Sequence, residues 1–103
     1  MTYSIVMTAC KSRKEAKKIS DALLKKKLAA CVKTSSVRSS YWWKGRIENS
    51  NEVLVSITTA KKNVARIMSA VKKMHSYEVP EIVEVPIRKG DEKYLRWVRD
   101  VTG

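Results

Sequence analysis

From Leu28 to Ile47 the chain is dominated by residue types that favour extended backbone: the run Leu28-Ala29-Ala30-Cys31-Val32, then Val37, Tyr41-Trp42-Trp43 and Ile47. β-Branched and aromatic side chains suit a pleated, half-buried surface. The stretch therefore reads as one strand, far longer than the usual ~5 to 6 residues. Such a strand has to be paired over its length, which makes a sheet the frame of the fold. Lys44-Gly45 has the form of a two-residue hairpin turn. Glu48-Asn49-Ser50-Asn51 is the denser turn signal, so the reading places the turn at Asn49 to Asn51 and treats Gly45 as a bulge. Glu52 to Thr59, with Val53, Leu54, Val55 and Ile57, returns as the partner strand.

The flanking segments alternate in period. Tyr3 to Thr8 is β-rich, and Ser12-Arg13-Lys14-Glu15 has capping-box spacing, which opens a helix. Ala16, Ile19 and Leu23 follow at helical spacing, and the helix is expected to end near Lys27. Thr58 or Thr59 is the expected cap of a second helix, in which Val64, Ile67, Met68, Val71, Met74 and His75 keep the i, i+3, i+4, i+7 pattern. Glu81 to Ile87 reads as a strand whose Pro86 cannot donate to a ladder and so belongs at an edge or end. Gly90-Asp91 then opens a last helix carrying Tyr94, Leu95, Trp97, Val98 and Val101. The order β, α, β, β, α, β, α implies an α+β fold, a ferredoxin-like βαββαβ sandwich with an antiparallel sheet and a C-terminal helix. With helices on one face, the other needs a partner, and the aromatic residues of the long strand exceed what one small core holds.

The length of 103 residues fits a single domain, residues 1–103, and leaves no room for separate cofactor and substrate domains. No apolar run approaches the ~18 to 20 residues of a membrane span. The opening Met1-Thr2-Tyr3-Ser4-Ile5-Val6 lacks a basic segment followed by an apolar one, so the expected location is cytoplasmic. Two cysteines, Cys10 and Cys31, then read as reduced thiols, outside any CxxC pair. The three glycines are isolated, and Walker, GxGxxG and HExxH patterns are absent, which argues against nucleotide hydrolysis and zincin chemistry.

Of 22 basic residues, nine fall between Lys11 and Lys33 against two acidic ones, a local +7 within a net +12. The lysines ring a helix without interleaved aromatics, and the chain has no Phe, so a solvated face is preferred to a nucleic-acid surface. His75 is the single histidine; a helix C-terminal contact, a metal ligand and a catalytic base all remain open for it. Cys10 and Cys31 read as small buried hydrophobes, and a site joining them to His75 requires convergence in space. Tyr41, Trp42 and Trp43 read as core and subunit interface, with Tyr41 and Trp43 on one side of the strand and Trp42 on the other. Tyr77-Glu78-Val79-Pro80-Glu81 sets two carboxylates and a phenol around a rigid turn in a basic chain, as a pocket rim would.

Three segments, LAACV at Leu28 to Val32, SSYWWKGRIE at Ser39 to Glu48 and MHSYEVPEI at Met74 to Ile82, with YLRW at Tyr94 to Trp97, together resemble the CutA divalent-cation tolerance family. The resemblance spans nearly the whole chain. Departures are Lys33 in place of Asn, Thr58 in place of Lys, and Ser76 in place of the Pro of a His-Pro-Tyr motif. The resemblance implies a compact homotrimer of ferredoxin-like subunits, similar to PII signalling trimers, with no enzymatic activity and a role in divalent-metal tolerance. It further implies an optional copper or other divalent ion at His75 and Cys31, no obligatory cofactor, and a cleft between subunits lined by Trp43, Tyr77, Glu78 and Glu81. The trimer interface would include Tyr41, Trp42 and Trp43. Two alternatives are a PII-like sensor or adaptor with a protein partner, and nucleic-acid binding through the basic first helix.

Overall fold

The computed structural model describes residues 2–103; Met1, the first residue of the opening segment read above, lies outside them. The elements are β1 (Tyr3–Cys10), α1 (Arg13–Lys25), β2 (Cys31–Trp43), β3 (Arg46–Ala60), a 3₁₀ turn (Lys61–Asn63), α2 (Val64–Met74), β4 (Ile82–Ile87) and α3 (Glu92–Thr102). The four strands form one antiparallel sheet in the order β2-β3-β1-β4, which is the ferredoxin-like arrangement expected from the element order. β4 is an edge strand, as Pro86 requires.

The hydrophobic pattern sorts the two faces. Val6 and Cys10 on β1 and Val53, Val55 and Ile57 on β3 pack against Ala16, Ile19 and Leu23 of α1 and Val64, Ile67 and Val71 of α2, forming the core. Alternation sends Ile5, Met7, Leu54, Val83, Val85 and Cys31 to the second face. Thr58 and Ala60 on that face are buried because α3 packs on this end of β3. Towards β4 the second face stays open, and Val83 and Val85 remain exposed.

Ser12 caps α1, its hydroxyl accepting from the Glu15 amide at 3.2 Å. The other half of the capping box is displaced: the Glu15 carboxylate accepts instead from the amides of Lys11 at 3.3 Å and Ser76 at 2.9 Å. The helix closes with Lys27 in the left-handed region, φ 56°, while the Leu28 amide donates to Leu23 O and the Lys27 amide to Leu24 O. That is a Schellman closure, and it consumes Leu28 to Ala30, so β2 begins at Cys31 and not at Leu28.

Two sequence expectations are corrected. The hairpin turn is Lys44-Gly45, with Trp43 paired to Arg46 and both turn residues at positive φ, 51° and 76°. Two positive φ values make a type I′ turn, whose twist matches that of the flanking strands. The Asn residues lie in the ladder and use their side chains across it, Ser40 donating to Asn49 Oδ1 at 2.6 Å and Arg38 to Asn51 Oδ1 at 3.1 Å. Likewise neither Thr58 nor Thr59 caps α2. β3 continues to Ala60, the Thr59 hydroxyl donates to Leu28 O at 2.6 Å, and Asn63 precedes the helix without a side-chain cap bond.

Candidate functional site

β1 ends at Cys10, and three chain segments meet at that end. Cys10 Sγ points to the helix-covered face, Glu15 is the first-turn acid of α1, and His75 follows the last residue of α2 in extended conformation, φ −75°, ψ 138°. Ligand atoms of Cys10, Glu15 and His75 all lie within 4.8 Å of one another. The His75 Nε2–H donates to Ala9 O at 2.8 Å, since a carbonyl can only accept, and the Tyr77 amide donates to Nδ1 at 3.2 Å. Both bonds together fix the neutral imidazole with its proton on Nε2. Thus His75 secures the Ser76–Glu81 segment to β1, a role beyond the helix-end contact, ligand and base readings.

Electrostatics reflects this packing. Burial, reinforced by the Glu15 carboxylate beside it, pushes the Cys10 thiol up to about 11. For Glu15 burial acts against ionisation, but the hydrogen bonds from Ser76 and Lys11, with the His75 ring nearby, outweigh it and hold the carboxyl below its ordinary value. A protonated soft donor, a neutral imidazole and an ionised carboxylate thus sit together. After loss of the thiol proton this set suits copper or zinc. Sequence reasoning assigned Cys10 to inert packing; the signal it passed over was the Cys10 to Glu15 spacing across a helix N-cap.

Cys31 is elsewhere. It pairs with Thr58, which pairs with Ile5, four strand residues from Ala9 or about 13 Å along the sheet. It also lies on the opposite face from Cys10, so the structure does not bring Cys31 to His75.

The segment after His75 wraps round the end of β1 to the second face. There Tyr77 donates its phenol proton to Glu52 Oε2 at 2.7 Å. Burial, then the bond to Glu52 and that residue's charge, raise the Tyr77 pKa well above its ordinary value. Together these residues wall a groove of about 810 Å³, whose lining includes Ser39, Tyr41, Trp42, Trp43, Glu52, Tyr77, Glu78, Val79 and Glu81. All four expected cleft residues, Trp43, Tyr77, Glu78 and Glu81, line this groove of a single chain. Glu52 was missed as a site residue because it was counted only as the start of a strand; a carboxylate opening the apolar run Val53-Leu54-Val55 was the available signal. Tyr41, Trp42 and Trp43 stand on the hairpin with Trp42 the most exposed, at 72%.

Residues 4–101 match the family model described as CutA1 divalent ion tolerance protein. The chain belongs to that family. Human Protein CutA is 41% identical over 102 residues, covering 98% of this chain and 57% of the human one. This chain therefore spans little more than half the length of its mammalian relatives. The divalent-cation tolerance protein CutA of Archaeoglobus fulgidus is 36% identical over 96 residues, covering 93% and 94% of the two chains. The structure of the periplasmic divalent cation tolerance protein CutA from Archaeoglobus fulgidus superposes with a TM-score of 0.95 at 35% identity, covering 98% of this chain and 99% of that one. The Thermus thermophilus structure of the divalent cation tolerance protein (Cut A1) gives 0.93, also at 35% identity, with the same coverage. No helix among the described residues is long and apolar enough to cross a membrane.

Proposed function

We propose that the chain serves divalent-cation tolerance as a non-enzymatic homotrimer holding a copper or similar borderline divalent ion at Cys10, Glu15 and His75. The observation that carries the site is the convergence of a sulfur, a nitrogen and an oxygen donor within 4.8 Å at the end of β1. Family membership supports the tolerance role. Binding requires the Cys10 proton to leave, and one of the bonds that His75 makes to Ala9 and Tyr77 to yield, so affinity rises with pH. The ion is cargo in this reading, with no obligatory cofactor. Two free thiols support a reducing, cytoplasmic location.

Native mass spectrometry with limiting Cu(II) tests the reading. The expected result is a three-chain species that retains copper, with retention lost in Cys10→Ser and in His75→Ala and kept in Cys31→Ser. Copper retained by both site variants overturns the site; a monomeric wild type overturns the trimer.

A second reading, a PII-like sensor whose output is contact with another protein, is favoured by the groove of about 810 Å³, a volume typical of small-molecule sites. A metal-independent, saturable rise in Tm with a metabolite supports it, and none across a broad panel removes it.

A further inference from the structure

We infer that the groove between the β2–β3 hairpin and the Tyr77–Glu81 segment is a site for a small organic cation, an ammonium or guanidinium group on an apolar body. The inference gives the sensor reading a ligand class and is independent of the metal reading.

Charge distribution is the first argument. The chain carries 22 basic and 10 acidic residues, yet three of the ten acids, Glu52, Glu78 and Glu81, line one groove that has no basic residue in its wall. Surface chance in so basic a chain would give the reverse. None of the three carboxylates has a salt-bridge partner among the described residues, whereas Asp21, Glu84, Glu92 and Asp100 each have one.

Glu52 supplies the second. It is nine-tenths buried, and its side chain's one hydrogen bond among the described residues comes from the neutral phenol of Tyr77. A buried carboxylate without a cation is costly. The groove leaves room for one to arrive, and the Tyr77 bond aligns the carboxylate on the groove wall.

Aromatic walls are the third. Tyr41, Trp43 and Tyr77, three of the chain's seven aromatic residues, stand on the groove side. A ring face attracts a cation through its quadrupole, and rings combined with carboxylates are the chemistry that recognises alkylated ammonium groups. Trp43 already shows the preference: the Lys44 ammonium lies 5.7 Å from its ring centroid. Anionic ligands, nucleotides included, would face three uncompensated carboxylates.

The test is isothermal titration calorimetry of the whole chain in chelator, with oligomeric state held constant and checked by native mass spectrometry. Choline is the probe, and dimethylbutanol, in which carbon replaces the ammonium nitrogen, is its neutral isostere. Saturable binding of choline with at least tenfold weaker binding of the isostere is expected. Trp43→Leu, which keeps apolar bulk but removes the ring, should weaken choline about tenfold, the scale of a desolvated cation–π contact. Glu78→Gln with Glu81→Gln, both exposed and remote from the core, should weaken it several-fold without lowering Tm. Equal binding of choline and its isostere overturns the inference, as does no binding of either. An anionic metabolite that raises Tm where choline does not also overturns the cation class while leaving the sensor reading standing. Copper retention is measured separately, so the metal reading can fail or hold on its own.

Discussion

Glu15 and Tyr77 are tied into one hydrogen-bonded cluster through Ser76 and His75, with Cys10 packed beside it, and the directions of the pKa shifts of these three groups set a pH profile. The folded carboxyl of Glu15 titrates below the ordinary 4.5. Its contribution is therefore complete above that value and is lost as pH falls through the lower folded pKa. Cys10 and Tyr77 shift the other way, from 9.0 and 10.0 upwards. Their neutral forms are favoured by folding, so between the unfolded and folded pKa values the unfolded chain releases protons that the folded one keeps, and stability falls as pH rises. A metal-free chain should show a flat Tm from about pH 5 to 8.5, with a decline on each side. Circular dichroism melts check this: Glu15→Gln should flatten the acid limb, and Cys10→Ala the alkaline limb above pH 9. Unchanged limbs in both variants would mean that these groups are not what folding titrates.

At the scale of elements, the cost of a left-handed residue is the clearest lever. Lys27 closes α1 at φ 56° in a position where glycine is the usual occupant. A side chain there is strained by about 1 kcal/mol. Lys27→Gly should therefore raise stability by roughly that amount in urea melts, with the midpoint moved and the slope unchanged. A loss of stability would show that the Lys27 side chain does more for the fold than its backbone costs. The same local physics explains what could be read from the sequence. β1, α1 and the order of elements were legible because each carries its own period and its own cap. The hairpin was misplaced because a cluster of Asn and Ser signals a turn by composition, whereas Lys44-Gly45 makes one by twist, and the register of a long ribbon decides which wins. The groove side chains Trp43, Tyr77, Glu78 and Glu81 were legible as unusual types in a basic chain. Cys10 and Glu52 were not, because their roles depend on a distant segment: Ser76 binds Glu15, the neighbour of Cys10, from 61 residues away, and Tyr77 binds Glu52 from 25.

For the whole molecule, the decisive fact is how little of the long hairpin the rest of the chain supports. β1 stops at the pair Cys10–Val53, so residues 37–43 and 46–52 continue as a ribbon of two strands. At about 3.3 Å per residue this ribbon runs roughly 23 Å beyond its last shared strand. Two strands alone are marginal in water, yet this pair exposes Trp42 at 72% and Ile47 at 60%. On the second face of the sheet, Val83 and Val85 are exposed beside the half-buried Ile5 and Met7. Both surfaces need covering, and the proposed homotrimer covers them with the same molecule. Assembly also concentrates a net charge of +12 per chain. Apolar burial must then exceed mutual repulsion that salt screens over about 10 Å at 0.1 M. Self-association should consequently strengthen with added salt, the reverse of an assembly held by ion pairs. Val83→Lys with Val85→Lys places charge on the open face without touching the core and should shift the chain to monomer at low salt. Sedimentation velocity at low and high ionic strength reads both effects. Assembly that weakens with salt, or that persists unchanged in the charged variant, would place the contact elsewhere on the chain.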